Sequence, residues 1–121
     1  MKTIAVIILL CFFSVPCFSQ LRIFSFEAKK HIGDTVRVDG ITISTEHNVK
    51  EKVTYVYFAH KPPKQDLTVK IADADLKNFP APISKLFTQK FATVIGKVML
   101  VKNQPVIVVK NYNDFMPGQG Q

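Results

Sequence analysis

The residue types that most often do chemistry in proteins are scattered along this chain rather than clustered. Its three histidines, His31, His47 and His60, lie in three different segments without the spacing of metal ligands. Asp73 and Asp75 are two residues apart, but neither a glycine-bounded loop nor a third carboxylate follows them. The sequence has no nucleophile–base motif and no phosphate-cradling glycine loop. We therefore expect no enzymatic activity, no metal site and no cofactor.

Binding chemistry is better represented, in the strand-like stretch "VTYVYFAH", which is rich in aromatic and β-branched residues. Successive strand residues face opposite sides, so Tyr55 and Tyr57 point outward if Phe58 points into the core. The same alternation in "LTVKI" places Lys70 on the outer side. Exposed aromatic rings beside cations are typical of proteins that bind single-stranded DNA or RNA, because every base has a π face and every link a phosphate.

Further cations extend this predicted platform, from the outer sides of two other strands and from two loops. Glu46 and Glu51 share the first of these loops and reduce its charge. Tyrosine and lysine are also ordinary residues on a solvated strand face, so the same pattern fits a surface that binds nothing. The residues that we predict to bind nucleic acid are Arg37, Lys50, Lys52, Tyr55, Tyr57, Lys70, Lys97 and Lys102.

The first nineteen residues have the layout of a secretory signal peptide. Lys2 gives a positive start, residues 4–15 are apolar apart from one serine, and small residues precede a cut after Ser19. Pro16 interrupts the run before it reaches the ~18 apolar residues of a membrane-spanning helix. A lipid anchor at Cys17 is the alternative, although a small residue is normally expected where Pro16 stands. We expect an exported protein, periplasmic or secreted, without a membrane span once this segment is removed.

The mature chain is predicted to be one small domain with a surplus of positive charge. The formal net charge of +7 falls by one, to +6, without Lys2, which favours anionic partners or simply keeps the protein soluble. Both cysteines, Cys11 and Cys17, lie in the signal segment, so the domain must rely on its core rather than on disulfides. The predicted divisions are a signal peptide, residues 1–19, a domain, residues 20–115, and a polar, disordered tail, residues 116–121.

Five strands and one short helix are predicted in the order β-β-β-α-β-β. The stretch "LRIFSFE" before them could be a lead-in strand or a packed arm. Ile83, Leu86 and Phe87 have the i, i+3, i+4 spacing of one helix face. The predicted strands are Thr35–Thr45, Val53–His60, Leu67–Ile71, Phe91–Val101 and Pro105–Lys110.

Two glycines, Gly40 and Gly96, lie inside predicted strands, where glycine is unfavourable. The apolar residues change face across Gly40, as a mid-strand bulge would require. Five strands leave open edges unless the sheet closes into a barrel, and closure needs bent strands that serve two faces. We therefore predict an all-β fold with a small α contribution, a five-stranded Greek-key OB-fold barrel whose first and fourth strands are shared. The alternative is a small open α+β sheet with two incidental glycines.

The chain resembles the tRNA-anticodon-binding-like class of OB-fold domains, which includes exported bacterial proteins, in "HIGDTVRVDGITIS", "YVYFAHKPPKQDLTVKI", "DLKNF" and "ATVIGKVMLVKNQPVIVV". The resemblance spans residues 28–115 and rests on fold motifs more than on site motifs. It implies nucleic-acid binding, and we predict an exported protein that binds single-stranded nucleic acid with little sequence preference. A weaker resemblance to periplasmic bacterial OB-fold stress proteins implies the alternative of an envelope protein that binds a protein, an oligosaccharide or another small ligand. A module that assists a separate secreted nuclease is a further alternative.

Overall fold

The computed structural model of the protein describes residues 21–118. The predicted signal peptide and the last three residues of the predicted tail lie outside the described residues. The strands are β1 (Leu21–Phe24), β2 (Thr35–Asn48), β3 (Val53–Phe58), β4 (Leu67–Ala72), β5 (Phe91–Lys97), β6 (Met99–Val101), β7 (Gln104–Val108) and β8 (Phe115–Pro117). The α-helix is α1 (Ile83–Phe87), and the 3-10 helices are Ser25–His31, Asp73–Asn78 and Tyr112–Asp114.

The strands form one sheet that closes into a barrel. Its hydrogen-bonded order is β6-β7-β4-β3-β2-β5-β8, and β1 pairs with β2 outside this path. The path returns on itself because β5 runs into β6 with only Val98 between them. The parallel pair β4–β7 joins segments that are distant in the chain. The predicted all-β, OB-like barrel with a small helical contribution is confirmed.

Two strands serve both halves of the barrel, as predicted. The first half of β2 pairs with β5 and the second half with β3. The predicted fourth strand is divided at Val98 into β5, which pairs with β2, and β6, which pairs with β7. The bulge predicted at Gly40 is displaced, because the pairing register of β2 and β3 shifts between Thr42 and Ser44. The irregularity therefore lies just beyond the point where β2 exchanges one partner strand for the other.

The glycines inside the strands make room for neighbouring side chains, and their backbone is ordinary. Neither Gly40 nor Gly96 has a φ in the left-handed region. A Cβ on Gly40 would lie 2.9 Å from both Phe58 Cδ2 and Ser25 Oγ. A Cβ on Gly96 would lie 2.6 Å from Ile107 Cγ2, closer than packed atoms tolerate. Since Ile107 belongs to β7, Gly96 allows β5 and β7 to approach each other where the barrel closes.

The hydrophobic core fills the barrel and is covered at one end by α1. Ile83 and Phe87 of the helix are buried, and Leu86 packs against the core, which confirms the predicted helix face. The alternation of β2, β3 and β4 also predicts the inward side chains correctly. These fully buried residues are Val36, Val38, Val56, Phe58, Leu67, Val69 and Ile71.

The domain continues beyond its predicted boundary. The tail is predicted to be disordered from residue 116, and this prediction is wrong for Met116 and Pro117, which belong to β8. Met116 pairs with Thr93 of β5. Phe115 holds this strand in place, because its buried ring stacks on Phe87 with 3.8 Å between the ring centroids. Backbone pairing does not require apolar side chains, so composition gives no sign of this short strand.

The lead-in segment is a strand, β1, which runs parallel to β2. The 3-10 helix Ser25–His31 follows it and was not predicted from the sequence. Phe24 and Phe26 at this junction are exposed, and their rings stack with 5.9 Å between centroids. Among the described residues, no helix has the length and apolar character needed to cross a membrane.

Candidate nucleic-acid interface

A groove of about 540 Å³ lies on the outer face of β3 and β4, beneath the β6–β7 hairpin. We call it the tyrosine groove. The β2–β3 loop borders the groove at one end, and the β6–β7 hairpin forms one of its walls. The tyrosine groove therefore lies between this loop and this hairpin. Its lining residues are Glu51, Val53, Tyr55, Tyr57, Gln65, Thr68, Lys70, Val101, Lys102, Gln104 and Val106.

Tyr55 is the more accessible aromatic residue of the tyrosine groove. Its ring is half-buried, and Lys70 lies directly opposite it in the β3–β4 pairing. The phenol oxygen donates a hydrogen bond of 2.5 Å to Glu51 Oε1. This bond, together with partial burial and the charges of Glu51 and Glu46, raises the pKa of Tyr55 to about 12. The hydroxyl is therefore held on the loop while the ring faces the groove.

Tyr57 is covered, and the prediction that it is exposed is wrong. It points away from the core as the alternation requires, but only 8% of it is accessible to solvent. Its hydroxyl donates to Glu46 Oε1 at 2.8 Å, and its ring lies 6.3 Å from that of Tyr55, centroid to centroid. Burial, followed by the bond to Glu46, raises the pKa of Tyr57. Tyr57 thus supports the ring of Tyr55 from below and offers little surface of its own.

Both loops beside the groove hold a lysine in the left-handed backbone region. Lys52 has φ 58° and lies between the lining residues Glu51 and Val53, and Lys102 has φ 50° at the hairpin turn. In the first loop the Lys52 amide donates to the Asn48 carbonyl at 2.8 Å, which closes the turn locally. Non-glycine residues seldom adopt this conformation. Lys50 is exposed in the same loop.

Two predicted cations lie away from the tyrosine groove. Arg37 is in the half of β2 that pairs with β5, and it lines a different cavity. Lys97 is exposed at the end of β5, opposite Thr35, and does not line the groove. The prediction that Arg37 lies beside the tyrosines is wrong, because β2 carries its two halves onto different faces of the barrel. Six of the eight predicted residues remain on or beside the tyrosine groove.

Sequence reasoning missed the residues that the hairpin and the β3–β4 turn add to the groove. Gln104 donates to the Pro63 carbonyl at 3.4 Å and so ties the hairpin to the β3–β4 turn, whereas Gln65 donates to Thr68 Oγ1 at 2.9 Å and ties the turn to β4. Val101 contributes an exposed apolar edge. Polar residues next to a proline-bearing turn were the only available signal, and it is a weak one.

Two of the three histidines pair with an aspartate. His47 Nε2 lies 3.0 Å from Asp73 Oδ1, and His31 Nδ1 lies 3.2 Å from Asp34 Oδ2. Across residues 21–118, no group of three or more histidine, cysteine or acidic side chains is placed to hold a metal ion. The two histidines therefore serve as surface hydrogen-bonding residues in the described structure.

Comparison with known proteins identifies the fold. No protein-family model matches the chain, and no curated protein matches it. A solved structure of a chain assigned as an aspartyl-tRNA synthetase from Leishmania major Friedlin is similar, with a TM-score of 0.58 and 15% sequence identity. The similarity covers 86% of this chain and 22% of the synthetase chain, so this chain spans about a fifth of that protein's length. At this identity the likeness extends to the OB-like barrel alone.

Proposed function

We propose that this domain binds single-stranded nucleic acid in the tyrosine groove, with little sequence preference and without catalysis. The observation that carries the proposal is the pair of lysines, Lys52 and Lys102, held in left-handed backbone on the two connections beside the groove. Such backbone costs about 1–3 kcal/mol per residue and concentrates at functional positions. Asn103 completes the hairpin turn with the same backbone, and Ala59 and Gln89 share it elsewhere, so the support for an anionic ligand is the positive charge that Lys52 and Lys102 place on both sides of the groove.

The groove offers the two contacts that single strands use. The ring of Tyr55 provides a surface on which one base can stack, and Lys70 directly opposite provides a contact for the adjacent phosphate. Val101 and Val106 form an apolar side against the sugar and base. Stacking and phosphate contacts are tolerant of sequence, which supports binding without base readout.

The carboxylates of Glu46 and Glu51 lower the expected affinity. Each accepts a hydrogen bond from one tyrosine and so remains at the edge of the groove. Against these two acids, four lysines lie on or beside the groove: Lys50, Lys52, Lys70 and Lys102. Since each phosphate contact to a single strand contributes a slope of about −0.7, four contacts predict a slope of about −3 for log affinity against log salt.

Binding is tested by fluorescence anisotropy of a labelled single-stranded oligonucleotide over a series of salt concentrations. Tyr55→Leu should weaken binding about tenfold, because leucine keeps the apolar volume and removes the stacking surface. Phe26→Leu is the matched control, an exposed aromatic residue outside the groove, 69% accessible to solvent, and should leave affinity unchanged. Equal affinity of wild type and Tyr55→Leu at low salt would contradict the proposal and favour a protein or oligosaccharide ligand.

We also propose export, with cleavage after Ser19. The cut would leave all of β1 intact, since that strand begins at Leu21, which pairs with Val36 of β2. The intact mass of the protein purified from its native host measures the cleavage site. Retention of Met1 in the soluble protein, or a lipid on Cys17, would contradict this assignment.

A further inference from the structure

Two arginines face each other on the outer side of the barrel, away from the tyrosine groove. Arg22 of β1 and Arg37 of β2 are directly paired in the parallel register, and the next pair, Ile23 and Val38, points into the core. Like charges directly opposite each other in neighbouring strands are destabilising unless an anion compensates them. The stability of this arginine pair therefore depends on how many carboxylates lie close enough to compensate the two positive charges.

Asp39 compensates Arg22. Its Oδ2 accepts a 2.8 Å hydrogen bond from Arg22 Nε, and its Oδ1 accepts a 2.7 Å bond from Thr93. Burial raises the pKa of Asp39, but the bonds from Thr93 and Arg22 and the charges of Arg22 and Arg37 outweigh burial and lower it overall. Asp39 is therefore ionised at neutral pH, and each of its oxygens already has a donor. The group of two arginines and one aspartate keeps a net positive charge.

Arg37 shares the single charge of Asp39 with Arg22 and makes no hydrogen bond to it through its Nε. Its Nε is fully covered, and within residues 21–118 it has no hydrogen-bond partner. The side chain lines a cavity of about 230 Å³ together with Thr93, Ile95, Asn113 and Met116. A covered donor without an acceptor is destabilising, and more so when the donor is charged, so an acceptor in this cavity would be stabilising.

We propose that this cavity is a binding site for a phosphate group. The planar fork of a guanidinium matches two oxygens of a phosphate, and the Asn113 amide can donate to a third. Ile95 and Met116 form apolar walls that exclude water and strengthen the ion pair. The phosphate can belong to a small phosphorylated compound or to a nucleic-acid backbone, and the site does not depend on the function proposed for the tyrosine groove.

Inorganic phosphate is the first probe, added to the whole mature protein at constant ionic strength set with sodium chloride. The side-chain Nε–H signal of Arg37 and the amide signal of Asn113 in nitrogen-15 NMR spectra should shift and saturate in the millimolar range. Arg37→Gln should abolish the shift of Asn113. Arg37→Lys, which keeps the charge and loses the fork, should weaken binding about tenfold, and it tests the site even if Arg37→Gln does not fold.

Lys77→Gln is the matched control, because it removes one exposed positive charge on the 3-10 helix Asp73–Asn78, away from this cavity. It should bind phosphate as the wild type does. Absence of saturable shifts in the wild type, or the same response in Arg37→Gln and Lys77→Gln, would overturn the proposal.

The source of the phosphate is then decided with an oligonucleotide. If backbone phosphates occupy the site, Arg37→Gln should reduce the salt slope of oligonucleotide binding by about 0.7 relative to Lys77→Gln. If the wild type binds inorganic phosphate but Arg37→Gln leaves the salt slope of oligonucleotide binding unchanged, the site is assigned to a small phosphorylated compound. Failure of Tyr55→Leu to alter oligonucleotide binding would count against the tyrosine groove and leave the phosphate titration unaffected.

Discussion

Glycine and lysine occupy opposite kinds of position in this domain. Gly40 and Gly96 have ordinary strand backbone, and neighbouring side chains at 2.9 Å and 2.6 Å leave no room for a Cβ. Lys52 and Lys102 have the left-handed backbone that favours glycine, with φ of 58° and 50°. The barrel positions are thus determined by packing, whereas the loop positions keep a charged side chain at a cost in backbone energy. The difference separates positions where packing requires glycine from positions where the domain tolerates strained backbone beneath a charged side chain.

The largest effect is expected at Gly96. Alanine there would overlap Ile107 Cγ2 where β5 and β7 meet, and should lower the free energy of unfolding by about 2–3 kcal/mol, measured by urea denaturation. Ile107→Leu removes the methyl branch in conflict, so the double substitution should recover part of the loss. Equal stability of Gly96→Ala and wild type would show that packing does not select this glycine.

A smaller loss is expected for Gly40→Ala, about 1–2 kcal/mol by the same measurement. The new Cβ would meet Phe58 and Ser25, and Ser25→Gly removes one of these two contacts. The double variant Gly40→Ala/Ser25→Gly should therefore lose less stability than the sum of the two single changes. If the two losses of stability are strictly additive, Gly40 is instead required by its backbone conformation, as the bulge predicted from the sequence implies.

The opposite sign is expected for Lys102→Gly, which should raise the free energy of unfolding by about 0.5–1 kcal/mol while removing one phosphate contact. The salt slope of oligonucleotide binding should become shallower by about 0.7. Lys50→Gly is the matched control, because it loses the same charge from a residue without positive φ and should not stabilise the domain. A gain in stability for both variants would mean that the left-handed backbone is not the cause.

The smallest effect is a change in proton affinity. Glu51→Gln should lower the pKa of Tyr55 from about 12 toward its ordinary value of 10.0, as followed by the ultraviolet absorbance of the phenolate. Because the folded state raises this pKa, the contribution of Tyr55 to stability is complete below pH 10.0 and is lost as the pH rises toward about 12. The variant should lose this alkaline dependence and bind oligonucleotides slightly more tightly. An unchanged titration would show that Glu51 does not hold the hydroxyl.

Alternation predicts the inner residues of this barrel well, since side chains two residues apart on a strand lie on the same face of the sheet. Alternation does not predict which side chains of the outer face are exposed. Tyr57 lies on that face but is covered, because its hydroxyl bonds to Glu46 and its ring lies in a groove whose other wall comes from the β6–β7 hairpin. Arg37 fails for a related reason: β2 changes partners along its length, and local sequence carries no information about which face each half joins. Pairings across long distances in the chain decide both outcomes.

The parallel closure of β4 on β7 fixes an order of events for the growing chain. Asn48 pairs with Val53, only five residues later in the chain. Thr35 pairs with Lys97, and Lys70 pairs with Val108, so these pairs cannot form until much more of the chain has been synthesised. Local hairpins form rapidly, and contacts between distant segments form slowly because a long loop must first be closed. The inner side of β2 and β3 therefore cannot be fully covered until residues 91–115 have been synthesised, because Phe115 also packs on Phe58, and until then the incomplete chain is more exposed to aggregation and proteolysis than the finished domain.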